Sequence, residues 1–227
     1  MARFSVFVPL VAILVLAVTS PKAMHAHMAT PAPSSLPEAA APFGLGKVAL
    51  PSDAEGVAAL FARLPEELDG ETRNGVPDRQ GERVVASYGP PDAMFGPPLS
   101  LQAINFKDGD FFPKDFTAGV FVARVIETAD YGAETFGREG NLVWVRAETT
   151  AGVACDKPGT PELIRPIYTL AWGEADSPWL FTAASFTPEG LEALVTAFVT
   201  TATDAPGTPA PAATPGADAT PTALRDG

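Results

Sequence analysis

Two stretches of this chain have a composition that leaves only its middle free to build a core. Residues 30–51 (TPAPSSLPEAAAPFGLGKVALP) are rich in Pro, Ala and Ser, and residues 204–227 (DAPGTPAPAATPGADATPTALRDG) in Thr, Ala and Pro. Neither carries enough large apolar side chains to offset the entropy of ordering it. Both are expected to be flexible or extended spacers. Between them lies a globular region, residues 52–203, of about 150 residues, the right size for one core and one domain. No internal repeat divides it.

Three helices are legible in that region. Ser52 with Glu55 three residues on has capping-box spacing. Val57, Leu60, Phe61 and Leu64 then recur on one face, and Pro65 closes the segment. A second helix is expected from about Thr117 to Asp130, where Phe121, Val122, Val125, Ile126 and Ala129 keep helical spacing. The third has Thr187 as N-cap, Pro188 at its first position and Glu189 in its first turn. Its buried stripe is Leu191, Leu194, Val195, Phe198 and Val199.

Strands fill the intervals: Arg83–Tyr88, Leu99–Phe106, Asn141–Glu148, Ile167–Trp172 and Trp179–Ser185. The turn cluster Gly173–Pro178 makes the last two a β-hairpin. Glu71–Arg73 and Ala133–Phe136 are candidate edge strands. Strands that follow one another this closely pair antiparallel. The expected fold class is α+β: a single domain, an antiparallel sheet with about three helices packed on it.

The N-terminus carries a different message. Arg3 precedes an apolar run, Phe4–Val18, followed by a small and polar stretch, Thr19–Ala29. A charged start, an apolar stretch and a small-residue exit form a secretory signal region, residues 1–29. The run is about fifteen residues long, short of the ~20 that a spanning helix needs. Cleavage is the first reading, near Ser20 or Ala26, and a retained anchor the second. The expected location is extracytoplasmic, secreted or in the cell envelope, with membrane contact only through an uncleaved N-terminal segment. The only cysteine, Cys155, is far from the apolar run, and the chain ends in Arg225-Asp226-Gly227, so neither a lipid nor a glycolipid anchor is expected.

Charge and chemistry narrow the partners. Loss of residues 1–29 removes Arg3 and Lys22 and no acid, taking the net charge from −12 to −14. Such a surface repels phosphates, so no nucleic acid partner is expected. One cysteine makes no internal disulfide, and Cys155 reads as an inert loop residue beside Asp156-Lys157-Pro158-Gly159. The two histidines, His25 and His27, both lie in the signal region. Residues 52–203 therefore hold no Ser-His-Asp triad, Cys-His dyad or histidine zinc site. Ser87 in Val85-Ala86-Ser87-Tyr88-Gly89 imitates a nucleophile elbow without its first Gly, and reads as a strand end. Gly44-Leu45-Gly46-Lys47 imitates a dinucleotide fingerprint, but no strand precedes it.

Carboxylates and aromatics remain. Asp108, Asp110 and Asp115 share one Gly-containing loop, the kind of oxygen donors that hold a hard cation such as Ca²⁺. Phe112 stands where a third ligand belongs, and Lys107 and Lys114 offset the charge, so a solvated turn competes with a metal site. The acidic loop Glu66–Glu71 reads as a helix exit. Trp172 and Trp179 flank the hairpin turn, with Phe111 and Phe112 in the loop; they line either the core or a ligand groove.

The function expected is a non-catalytic extracytoplasmic binding or interaction module, with a small molecule, a glycan or an envelope protein as partner and no cofactor. The alternative is a small glycan hydrolase using two carboxylates, drawn from Asp110, Asp115, Glu148 and Glu174. A purely structural domain is a third. N-terminal sequencing of the protein from its native host is expected to begin between Pro21 and Thr30. Intact Met1 in the membrane fraction would show a retained anchor instead.

Overall fold

Seven antiparallel strands make the main sheet, and its middle strand in space is the last in sequence. The computed structural model describes residues 36–75, 78–80, 83–90, 96–107, 112–128, 133–153 and 163–204. The helices are α1 (Ala54–Ala62), α2 (Ala118–Glu127) and α3 (Pro188–Thr203). A two-stranded ribbon pairs β1 (Glu67–Leu68) with β2 (Glu71–Thr72). The main sheet contains β3 (Asp78–Gln80), β4 (Arg83–Tyr88), β5 (Leu99–Asn105), β6 (Ala133–Glu139), β7 (Leu142–Val153), β8 (Leu163–Glu174) and β9 (Trp179–Ser185). Their spatial order is β3-β4-β5-β9-β8-β7-β6. This is the α+β class that the sequence pattern implies, with helices on both faces of the sheet.

Side-chain alternation sorts the core into two layers. Leu99, Leu101, Phe181, Ala183, Leu170, Trp172 and Trp144 face α1 and α3, where Phe61, Leu191, Leu194, Val195 and Phe198 meet them. Ile104, Leu180, Ala171, Val143 and Val145 face α2 and its Phe121, Val122 and Val125. With both faces covered, all seven residues of β5 and of β9 are buried. Such strands read as continuous runs rather than as alternation.

The helix caps refine the sequence reading. Asp53, not Ser52, caps α1: its Oδ1 accepts from Gly56 N–H at 2.8 Å. Ser52 and Glu55 therefore form no capping box. Thr117 caps α2 and Thr187 caps α3, each accepting from the backbone N–H three residues on. The α2 helix ends at Glu127, short of the expected Asp130; Ala129 and Asp130 lie outside the described residues. The acidic loop Glu66–Glu71 is a β-hairpin and not only a helix exit. Asp69 (φ 52°) and Gly70 (φ 77°) supply the two left-handed positions that a type I′ turn requires.

Part of the expected spacer 30–51 is packed, which corrects that reading. Arg138 of β6 donates its N–H to Pro37 O at 2.9 Å and accepts from Ala39 N–H at 2.8 Å. Ala41 N–H donates to Glu139 Oε2 at 2.7 Å, and Glu38 pairs with Arg138 at 3.1 Å. Gly137 permits the approach: a Cβ there would lie 2.8 Å from that of Ala39. Leu36 is buried in the layer under α2, and Leu45, in the 3₁₀ segment Pro42–Lys47, in the layer under α1 and α3. This strap therefore passes around the β6 edge and anchors in both core layers. A few well-placed apolar residues outweigh a poor average composition. The other segments expected to be spacers, 30–35 and 205–227, lie outside the described residues.

Leu45 is fully buried, so Leu45→Ala is expected to cost about 2–5 kcal/mol in denaturant unfolding, the usual range for a core leucine. A cost near zero would mean that the strap does not hold its place in solution.

Candidate functional site

Of the aromatics read as lining either the core or a groove, Trp172 and Trp179 at the hairpin turn are core residues. Trp172 is fully buried and Trp179 nearly so. Trp172 stacks on Phe181 with centroids 5.9 Å apart, and meets Phe198 edge-on at 5.2 Å. The turn does not expose them because α3 covers that face of the sheet. Phe112 is half-buried and packs on Phe106 at 4.7 Å and Phe116 at 5.1 Å, with Arg124 over the Phe116 ring. Phe111, Asp108 and Asp110 lie outside the described residues. Asp115 is exposed, as are Glu148 and Glu174. A carboxyl that donates a proton at neutral pH needs an apolar setting, and none of these three has one. Among the described residues, no group of three or more His, Cys, Asp or Glu comes together.

A different surface carries an open concavity. An open groove of about 710 Å³ runs along the outer side of α3. One wall is Ala193, Thr196, Ala197, Thr200 and Thr201 on that helix. The other is Arg63, Pro65 and Leu68, the exit of α1 into β1. Glu189 and Glu192 close one end. Alanines, Pro65 and Leu68 make its lining mostly apolar. Thr201 spends its hydroxyl proton on Ala197 O at 2.7 Å. The sequence held a signal for this wall. Positions 193, 196, 197 and 200 repeat at i, i+3, i+4, i+7 and carry only Ala and Thr, where an exposed helix face more often carries long charged side chains. Attention to the buried stripe of the same helix passed over it.

The second wall is held from below by two side chains. Arg73 donates from Nη1 to Leu64 O at 2.6 Å, and its N–H donates to Glu66 O at 2.7 Å. The Tyr88 hydroxyl, at the end of β4, donates to Pro65 O at 3.0 Å. Tyr88 is fully buried. Burial pushes its phenol above the ordinary 10.0, and the nearby Arg73 charge opposes this only in part. The protonated phenol is thus the form the fold holds, and the form that donates to Pro65.

On the opposite face of the sheet, beyond α2, lies a buried polar row. Gln102 and Thr182 are register partners across β5 and β9, and Ser100 is beside them. Gln102 donates from Nε2 to Ser100 Oγ at 3.3 Å. Gln102 Oε1 and Thr182 Oγ1 are buried without a hydrogen-bond partner among the described residues.

Because the folded-state pKa of Tyr88 is raised, its stability contribution is complete below pH 10.0 and is lost as pH rises through the higher folded value. Tyr88→Phe is expected to cost about 0.5–1.5 kcal/mol at neutral pH, since Pro65 O loses its donor. The stability gap between parent and variant is expected to close as the pH is raised above 10.0. A gap independent of pH, in paired denaturant titrations, would contradict the role assigned to the hydroxyl.

No family model, no curated protein and no solved structure matches this chain.

Proposed function

We infer that the protein is an exported, non-catalytic binding or interaction module, and that the groove along α3 is its ligand-contacting surface. The observation that carries this reading is the groove itself. It is concave and mostly apolar, with hydroxyls on its rim and charges at its ends. That is the general make-up of a site that binds by shape and a few polar contacts. Its lining offers carboxylates and threonines but no residue paired with a base that would activate a nucleophile. Export rests on the Phe4–Val18 run and its small-residue exit. An acidic, soluble domain outside the cytoplasm meets small molecules, glycans and envelope proteins, and these are the classes of partner proposed.

The test is a thermal-shift screen of the mature chain against sugars, lipids and small envelope components. A ligand present at 100 times its Kd adds about 2.7 kcal/mol to stability. For a domain of this size that is a rise of roughly 5–10 °C. The rise is expected to disappear in Ala197→Trp, which fills the groove and leaves the buried stripe of α3 intact. A shift that survives Ala197→Trp places binding elsewhere. Turnover of a glycoside that is lost in Asp110→Asn or Asp115→Asn would replace this reading with the carboxylate hydrolase.

A further inference from the structure

The groove along α3 suits an extended length of chain, and the chain that leaves α3 has the length and composition to fill it. From Glu189 to Thr201 the groove follows the helix for twelve residues, about 18 Å at 1.5 Å per residue. Its helix wall carries only small side chains between the two acids at one end and Thr201 at the other. On the facing wall Pro65 and Leu68 present apolar surface, and the exposed Arg63 presents a guanidinium with five donors.

The helix ends within one turn of the groove. Asp204 closes α3, its N–H donating to Thr200 O at 3.0 Å. Pro206 bars any continuation: it lacks the N–H that a further turn needs, and it turns Ala205 away from helical backbone. Pro206-Gly207 is a turn dipeptide, with proline suited to the second position of a type II turn and glycine to the third. A turn of that kind reverses the chain. The seven residues after it, Thr208–Thr214 (TPAPAAT), lead to a second such dipeptide, Pro215-Gly216. In polyproline II those seven span about 22 Å at 3.1 Å per residue, enough to cover the groove from end to end.

Composition agrees with length. Residues 205–217 carry no charge over thirteen positions, as a mostly apolar lining requires. Polyproline II makes no internal hydrogen bonds, so its carbonyls are open to the donors of Arg63. Pro209 and Pro211 have φ fixed in advance, and the segment has less entropy to lose than its poor apolar content suggests. Tethering supplies the rest. A segment on a short linker is present at an effective concentration of the order of mM, so weak contact suffices and a dilute external partner competes poorly. The N-terminal end of the chain is a poor rival: it enters at Leu36, in the layer under α2 on the other face of the sheet.

We propose that the chain's own segment Thr208–Thr214 docks in this groove as polyproline II, antiparallel to α3, between turns at Pro206-Gly207 and Pro215-Gly216. The docked segment covers the surface that a ligand would touch, so binding requires its release. Apparent affinity for a ligand is then lowered by the fraction of molecules whose groove is open. That consequence rests on the groove being the ligand-contacting surface; the docking itself does not.

The test uses the whole mature chain with Cys155→Ser and a nitroxide on Ala217→Cys, just beyond the docked segment. The amide NMR signals along α3 report how close the label comes. Docking brings position 217 to the first turn of the helix. Loss of the Glu189 and Glu192 signals is therefore expected, while those of Thr200 and Thr201 persist. A tail that does not dock gives the reverse order, with the strongest loss beside Asp204, and overturns the proposal. Ala197→Trp fills the groove and is expected to give that reverse order; a docked pattern that survives it overturns the proposal too. Should that variant not fold, Pro209→Gly with Pro211→Gly decides, since it leaves α3 unaltered and frees two fixed φ angles; it is expected to give the same reversal. Equal broadening from a nitroxide carried on an isotope-silent copy shows a second chain in the groove and also overturns the proposal. No ligand enters this measurement. A docked pattern with no hit in the thermal-shift screen removes the ligand reading and leaves the docking; a hit without a docked pattern does the opposite.

Discussion

The fold depends on where β9 lands. The chain builds one meander, β3-β4-β5, crosses under α2, and builds a second, β6-β7-β8. Only Trp179–Ser185 joins them, pairing Leu99–Asn105 on one side and Tyr168–Trp172 on the other. Without it there are two three-stranded sheets, each with a bare edge. With it, Phe181 comes against both Trp172 and Phe198, the cluster that seats α3. The pairing of Leu99 with Ser185 closes a loop of more than eighty residues. Contacts this distant in sequence form late and slowly. Since Cys155 makes no internal disulfide, this buried centre and not a covalent staple holds the meanders together.

The same arrangement explains where a concave surface is left over. The α3 helix spends its apolar stripe on β9 and β5, so only its outer side, lined with Ala and Thr, is free to form a wall. The opposite wall is the exit of α1, anchored in the core by Leu64 and Leu68. Arg73 and Tyr88 hold it further by donating to the carbonyls of Leu64 and Pro65. A concave surface thus arises where a rigid helix faces a loop held by buried donors.

Much of this was legible in the sequence, and the failures have identifiable causes. The third helix could be read to the residue at its cap, because Thr187, Pro188 and the Leu191–Phe198 stripe agree with one another. The hairpin of β8 and β9 followed from one turn cluster between two apolar runs. The strap did not, because composition averages over a window while burial is decided by single residues: Leu36, Ala41 and Leu45 suffice. The candidate site was missed for a related reason. Trp172 and Trp179 attract notice as large aromatics beside a turn, but the pattern of one strand says nothing of the helix that covers it. The groove is made of alanine, threonine and a loop, residue types that carry little chemical signal, and its walls come from segments more than a hundred residues apart.

The polar row beneath the sheet has a structural logic that this topology supplies. Ser100, Gln102 and Thr182 alternate with Leu101, Ala103 and Phe181 along the two strands that must find each other over the longest distance. A slip of one residue in either strand turns every side chain to the other face. It would drive Gln102 or Thr182 into the layer of Trp172, Phe181 and Phe198. For Gln102, a slip of one strand against its surroundings brings an amide into an aromatic layer, where an unpaired polar group costs about 1–3 kcal/mol. In the native register they sit together, with Ser100 accepting one amide proton from Gln102. An all-apolar pair of central strands would be more stable and less particular about its register. The native register is thus the alignment that keeps these polar groups out of the aromatic layer, in a sheet whose central pairing no short turn enforces.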